Sequence, residues 1–418
     1  MSAFIAYTNR LRSFSLNAKL WVSSSVLVGL GWSVSNVLLN LYLVQLGYRE
    51  DAIGSFSFVT SLLMGLVAIP AGLALRHRSR KPSIVASSLM AGALGFVQVT
   101  WPTELILIAT NGALGAFQAI LVVSESPFIM ENSKPEERSH IFSLNFVAIF
   151  SMFVVGSAVA GQLPSLMARQ LGVGVESVAA YRYSLMIGVV FRLLATVPLL
   201  FVTETNRQLH KAENRRQVLP LPSAVAISKL LRVRVFWALG CGLFQPFLTV
   251  MLKTRLGASA ETVGAIVAAT NVGVTVACLL TPSVEKLLGT VPAIAVSIIA
   301  AAPMLMVVGW SGSLLVVAVA MVLRDSIAML GGPLRQRFTM EIVTKDERSL
   351  MASLEQVSWQ IPSALGSWAG GQVISRYGYG LLFSLSAGLY ALSGVLYGTM
   401  FKPESQRLVE ARANGQLD

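Results

Sequence analysis

One pattern recurs along the chain: about twenty consecutive apolar residues followed by a short polar connection. Twelve such runs are legible, with approximate limits 20–46, 52–75, 82–101, 104–128, 141–163, 183–203, 233–252, 261–283, 291–310, 313–334, 350–373 and 379–401. A helix needs about 20 apolar residues to cross about 30 Å of hydrocarbon. Only a segment that satisfies its own backbone hydrogen bonds is stable there. The pattern therefore predicts an all-α polytopic membrane protein with twelve transmembrane helices. Composition agrees, since 54% of the 418 residues are apolar and 12% are charged, about half the charged share of an ordinary soluble domain. Gly and Pro inside the runs, as in Ala68-Ile-Pro-Ala-Gly72, are tolerated where neighbouring helices satisfy the freed backbone groups. Arg10, Arg12 and Lys19 precede a first run of full length, so that run is expected to remain as an anchor rather than a cleaved signal.

A net charge of +12 in a soluble protein would suggest nucleic acid, so the position of the bases matters. With the amino terminus inside, 24 of the 32 Lys and Arg residues fall in connections on one side, 6 on the other, and 2 within spans. Short connections rich in Lys and Arg stay in the cytoplasm. The charge is thus a sidedness code, predicting a multi-pass protein of the cell membrane with both termini cytoplasmic and no nucleic-acid partner. Cys241 and Cys278 lie far apart in apolar runs, and His77, His140 and His210 lie in separate connections. No metal site, cofactor or disulfide framework is expected.

The chain also repeats itself. Met130-Glu-Asn-Ser-Lys-Pro-Glu-Glu-Arg138 between the fourth and fifth runs reappears as Met340-Glu-Ile-Val-Thr-Lys-Asp-Glu-Arg348 between the tenth and eleventh, at an offset of 210. Gly161-Gln162 recurs as Gly371-Gln372 at the same offset, and the helix ends Glu204-Thr-Asn-Arg207 and Glu404-Ser-Gln-Arg407 match at 200. Duplication of a six-helix unit explains these matches. The domains expected are an amino-terminal bundle at 1–203, a basic cytoplasmic linker at 204–232, and a carboxy-terminal bundle with its tail at 233–418. Lys211, Arg215 and Arg216 suit the linker to a solvated tether or to an anionic lipid surface.

Six plus six spans, inside termini, a basic central linker and a base cluster after the second span resemble the major facilitator superfamily (MFS). The paired Glu-x6-Arg elements, Glu131 with Arg138 and Glu341 with Arg348, carry the resemblance most strongly. The ends Glu204 to Arg207 and Glu404 to Arg407 are similar to the family's helix-end elements. The loop after the second span keeps Gly72, Arg80 and Lys81 of a Gly-x3-Asp-Arg-x-Gly-Arg-Arg element, with Arg78 in the variable slot, but has Arg76 in its Asp slot, His77 in its basic slot and Ser79 in its Gly slot; the second half offers Glu285 and Lys286. The resemblance implies the MFS fold and a cytoplasmic gate in which these acids and bases pair. Exposed pairs worth about 0–1 kcal/mol each can bias such a gate and still release it.

An ionisable residue at membrane depth costs at least about 2.5–3.5 kcal/mol and is by default a functional candidate. Five qualify. Asp325 lies near the middle of the tenth span beside Arg324, Glu125 and Glu355 lie towards helix ends, and Arg192 lies midway along the sixth span. Arg324 and Asp325 are expected to have separate partners, since adjacent helical residues do not face one another. Arg192 is expected to be structural, because its span is peripheral in the family. Asn111, Gly115, Gln118, Val122 and Glu125 fall on one helical face, as do Trp32, Asn36 and Asn40, predicting a wet surface on the first and fourth spans. The resemblance likewise makes the first, fourth, seventh and tenth spans cavity-lining. Gln245, Asn271 and Trp359 complete the cavity candidates, with interhelical hydrogen bonding as the competing reading for Asn36, Gln245 and Asn271.

These readings converge on a secondary active transporter, not an enzyme, that moves a small organic solute by alternating access. The chain has no G-x-x-x-x-G-K-[ST] phosphate loop, so a solute or ion gradient is the expected energy source. Protons are the favoured coupling ion, carried by Asp325 and Glu125, because carboxyls in low-dielectric surroundings readily take a proton. Efflux is weakly preferred. The fifth span reads Gly156-Ser-Ala-Val-Ala-Gly161-Gln-Leu-Pro164, unlike the Gly-Pro-x3-Gly-Gly element of drug exporters in the family. The alternatives are a passive uniporter or lipid translocator, and a non-transporting sensor or assembly partner. A monomer with membrane lipids as its only other partners is expected. The sidedness is checked by fusing a cytoplasm-dependent fluorescent reporter to either terminus: both fusions should fluoresce, and a dark fusion would reverse the orientation.

Overall fold

The computed structural model describes residues 15–75, 80–131, 135–203, 224–343 and 348–402. The first six spans are the helices α1 (Leu16–Gln45), α2 (Glu50–Ala74), α3 (Arg80–Thr100), α4 (Glu104–Glu131), α5 (Pro135–Leu171) and α6 (Val178–Leu194), the last prolonged by the short turn Thr196–Leu200. After the linker come α7 (Ala224–Phe244), α8 (Ala260–Leu288), α9 (Thr290–Trp310) and α10 (Leu314–Leu330). The terminal helix Arg348–Met400 departs from helical geometry at Gly378, with φ 80° and ψ 179°. Unbroken, its 53 residues would be about 80 Å long, far beyond the bilayer. Segments 348–377 (α11) and 379–400 (α12) are therefore two spans, which brings the crossings among the described residues to twelve. All are helical, and no strand occurs in the described residues.

The predicted limits differ from the helices chiefly where polar residues extend a helix beyond the hydrocarbon. Helix α5 reaches from Pro135 to Leu171, and α7 starts at Ala224, nine residues before the apolar run. Two spans are broken instead of continuous. Gln245–Phe247 forms a 3-10 turn that joins α7 to the helix Leu248–Thr254. Within that break the Pro246 carbonyl accepts from Asn40 Nδ2 at 2.7 Å. At Gly331, α10 gives way to the helix Gly332–Glu341, and Thr281 Oγ1 of α8 donates to the Leu330 carbonyl at 3.0 Å. Side chains from other helices thus satisfy backbone groups that each break releases.

Packing divides the chain into two units. The first comprises Met1–Leu39 and Leu66–Gln217. Here α1 approaches α5 and α6 closely: a methyl group on Gly29 would lie 2.9 Å from Met152 Cβ, and one on Gly188 would lie 2.9 Å from Val34 Cβ. Asn17 ties the start of α1 to the end of the sixth span by donating to the Thr203 carbonyl at 2.7 Å and accepting from its amide at 3.0 Å. Trp21 and Phe128 lie 4.7 Å apart in a buried cluster with Ile84, Ile141 and Leu199.

The second unit comprises Asn40–Gly65 and Val218–Asp418. Its centre is α11, which meets neighbours on two faces through small residues. Towards α7, Gly366 faces the Leu239 carbonyl, and Gly242 faces the backbone of Ser363. Towards α2, Gly371 faces the Glu50 carbonyl, and Gly54 faces that of Ser367. Tyr379 Oη then donates to Glu50 Oε1 at 2.9 Å. In lipid, where apolar burial gives helices little reason to associate, such close backbone approach supplies the packing. At Gly366, a Cβ would fall 2.5 Å from the Leu239 carbonyl oxygen, whereas Gly388 has no heavy atom within 4 Å of that position. Gly366→Leu should accordingly destabilise the detergent-solubilised protein by about 1–3 kcal/mol or more, and Gly388→Leu should stay within about 0.5 kcal/mol of the parent. Heating followed by size-exclusion chromatography measures both; equal melting temperatures would contradict the close approach.

Candidate functional site

A cavity of about 290 Å³ opens within the first unit, walled by α1, α3, α4, α5 and the sixth span. It is smaller than most ligand pockets, which run to about 300–1,000 Å³, and suits a compact solute. Helix α1 contributes Trp21, Ser24, Ser25, Val28, Gly29 and Trp32, and α4 contributes Gln118, Leu121, Val122 and Glu125. The polar stripe predicted on α4 thus reaches the cavity in its second half. Asn111, at the other end, donates to the Leu107 carbonyl of its own helix at 2.8 Å.

Glu125 does not stand alone in this wall. Asn145 Nδ2 of α5 donates to Glu125 Oε1 at 2.7 Å, and Ser25 Oγ of α1 donates to Asn145 Oδ1 at 2.6 Å. Ser24 donates to the Ala195 carbonyl at 2.7 Å, and Ser88 shares a 2.9 Å hydrogen bond with Thr196. Arg192 also lines the cavity. Its stem passes against Gly31, where a side chain would collide with Arg192 Cγ. The guanidinium has no ion-pair or hydrogen-bond partner among the described residues, and its Nε is enclosed. Arg192 thus combines a stem packed against α1 with a place in the cavity lining.

In the second unit the membrane-depth charges pair differently from the sequence expectation. Arg324 and Asp325 bind each other, Nη2 to Oδ1 at 2.9 Å, although they are adjacent on α10. The long Arg side chain folds back to its neighbour, which a Cβ-direction argument overlooks. In low dielectric a partner within reach outweighs facing geometry. The Arg324 guanidinium also lies 4.4 Å from the centre of the Phe244 ring of α7, a favourable cation-π placement. Glu355 pairs with Arg234 of α7 at 3.2 Å. Next to it Arg335 stacks 3.8 Å from the Trp237 ring centre, and Trp237 lies 4.9 Å from Trp359. Arg234, Trp237, Arg335 and Glu355 border a space of only about 20 Å³, room for a water-sized occupant.

Of the remaining cavity candidates, Asn36 and Gln245 are exposed, the latter in the α7 break, and Asn271 is partly buried. The gate candidates are partly described. Glu285, near the end of α8, bonds Thr290 Oγ1 at 2.8 Å and forms a short ion pair with Arg337, which also reaches Glu341 at 3.3 Å. Arg337 thus bridges two predicted acids. Lys286 is exposed and Lys81 partly buried. Arg80 opens α3, Glu131 closes α4, Arg138 lies in the first turns of α5, and Arg348 opens α11. Arg78, Glu204, Arg207, Glu404 and Arg407 lie outside the described residues.

Arg234, Arg335, Arg337 and Asn145 were not among the sequence candidates. The first three count as cytoplasmic bases near helix ends, where hydropathy does not distinguish a side chain that faces water from one that faces a neighbouring helix. The repeat held the missing signal: at the offset of 210, Glu125 corresponds to Arg335 and Asn145 to Glu355. A carboxylate facing an amide in one unit is matched by a guanidinium near a carboxylate in the other.

The Major Facilitator Superfamily model matches residues 21–245 and 238–416. Among solved structures, the nucleoside transporter NupG is similar with a TM-score of 0.71 at 14% identity, covering 92% of this chain and 99% of that one. A D-xylose-proton symporter is similar at 0.72 and 15%, covering 91% and 97%. A POT family transporter in complex with 5-aminolevulinic acid is similar at 0.72 and 12%, covering 93% and 96%. At these identities the likeness is one of fold. No curated protein sequence matches the chain.

The adjacent ion pair yields its own test. Asp325→Ala should strand the buried guanidinium of Arg324 and cost about 3–5 kcal/mol, and removing both charges in Arg324→Met/Asp325→Ala should restore most of that loss. Thermal unfolding of the three proteins decides it; a double variant no better than the single would mean that the charges do not depend on each other.

Proposed function

The chain belongs to the major facilitator superfamily and is a multi-pass protein of membrane transport, and from that premise we propose that it is a proton-coupled secondary transporter of a compact organic solute. The observation that carries the reading is the cavity of the first unit, where Glu125 meets a relay of Asn145 and Ser25 from two other helices. A carboxyl held at membrane depth by neutral hydrogen-bonding partners can gain or lose a proton without breaking an ion pair. Asp325, paired with Arg324, is the second coupling group. Alternating access then follows the superfamily's mode of action, with the solute released as the cavity changes its access from one side to the other. The Glu285, Arg337 and Glu341 network belongs to the cytoplasmic gate candidates, its pairs weak enough to exchange because the central guanidinium is solvent-exposed. Placement in the cell membrane with both termini inside, and export as the working direction, complete the proposal.

Flux in reconstituted vesicles tests it. A pH gradient should drive solute accumulation, and Glu125→Gln and Asp325→Asn should each reduce gradient-driven accumulation by tenfold or more while leaving solute counterflow within about threefold of the parent. Flux indifferent to the gradient, with both variants silent, would make the protein a uniporter.

A further inference from the structure

The polar side chains that line the cavity of the first unit include one cation, Arg192. Its guanidinium has no hydrogen-bond or ion-pair partner among the described residues. A guanidinium is a donor only. Buried donors are normally satisfied, so this group asks for an acceptor from outside the chain. The polar side chains nearby do not supply it. Ser24, Ser25 and Ser88 are bonded to groups in the wall, and one oxygen of Glu125 is taken by Asn145. A guanidinium without a countercharge sits poorly in such surroundings, and its natural complement is a carboxylate.

We propose that the first-unit cavity binds a compact organic monoanion, with the Arg192 guanidinium as its countercharge. This deepens the transport reading by naming the substrate class of that site. The rest of the wall defines the body of the ligand. Trp32 and Phe153 meet edge to face at 6.4 Å, and Leu121, Val122 and Ile149 complete an apolar lining, which suits an aromatic or branched hydrocarbon part. Glu125 sets the upper limit on charge. A second anionic group in about 290 Å³ would share the space with that carboxylate, so the cavity discriminates against dianions and against phosphate esters.

Binding to the purified full chain tests the proposal independently of flux. Benzoate, phenylacetate and indole-3-acetate are titrated against their uncharged amides and against the dianion terephthalate, with intrinsic tryptophan fluorescence and calorimetry as readouts. At least one monocarboxylate should bind at least tenfold more tightly than its amide and than terephthalate. Arg192→Gln should erase that preference, and Arg192→Lys should keep part of it. Amides that bind as well as carboxylates, a panel that does not bind at millimolar concentration, or Arg192→Gln with unaltered preference would overturn the assignment. The wild-type selectivity stands as a test even where a variant fails to fold. Carboxylate binding without flux of the bound acid would retain the anion site and count against transport; flux of a neutral solute without carboxylate binding would do the reverse.

Discussion

The structure depends on how closely helices can approach one another in a solvent that gives them no apolar reason to associate. Where Gly29 meets Met152, Gly54 meets Ser367 and Gly366 meets Leu239, the absence of a side chain brings one backbone against another. Dispersion contacts and short polar links then hold what the hydrophobic effect would hold in water. At the 210-residue offset Gly366 corresponds to Gly156, which packs as closely against Ser33 of α1.

Close packing at those seams leaves room elsewhere, and the charges occupy it. In the second unit Arg324 is matched by Asp325, and Glu355 by Arg234, with aromatic rings of Phe244 and Trp237 against the guanidinium groups. In the first unit Glu125 and Arg192 line one cavity without an ion pair between them. The two units thus differ in chemistry. One copy satisfies most of its buried charges internally, and the other presents a carboxyl and a guanidinium to whatever enters.

Much of this was legible from the chain. Periodic apolar runs locate the spans because hydrocarbon thickness imposes a length on any helix that crosses it. Limits were least accurate for α5 and α7, whose polar ends continue the helix into an aqueous environment where hydropathy no longer reports on it. The membrane-depth residues were identifiable by rarity alone, Asp325 and Glu125 among them. Their partners were not, because an Arg side chain reaches several ångströms from its own backbone and can fold back along the helix, as Arg324 does. Arg234 and Arg335 were hidden for a different reason: bases near a helix end count equally towards topology whether they face water or a neighbouring helix.

The sequence by itself determined the membrane-spanning runs, the all-α class and the family, since each follows from a period, a length or a repeated spacing along one dimension. Tertiary structure alone decided which side chains share a space: that Ser25, Asn145 and Glu125 form one chain of hydrogen bonds across three helices, and that Arg192 and Glu125 line one cavity. Such groupings depend on the rotation of each helix about its axis and on where a glycine lets it move in. Neither is encoded in the spacing of any single span, and both are set by the simultaneous packing of several.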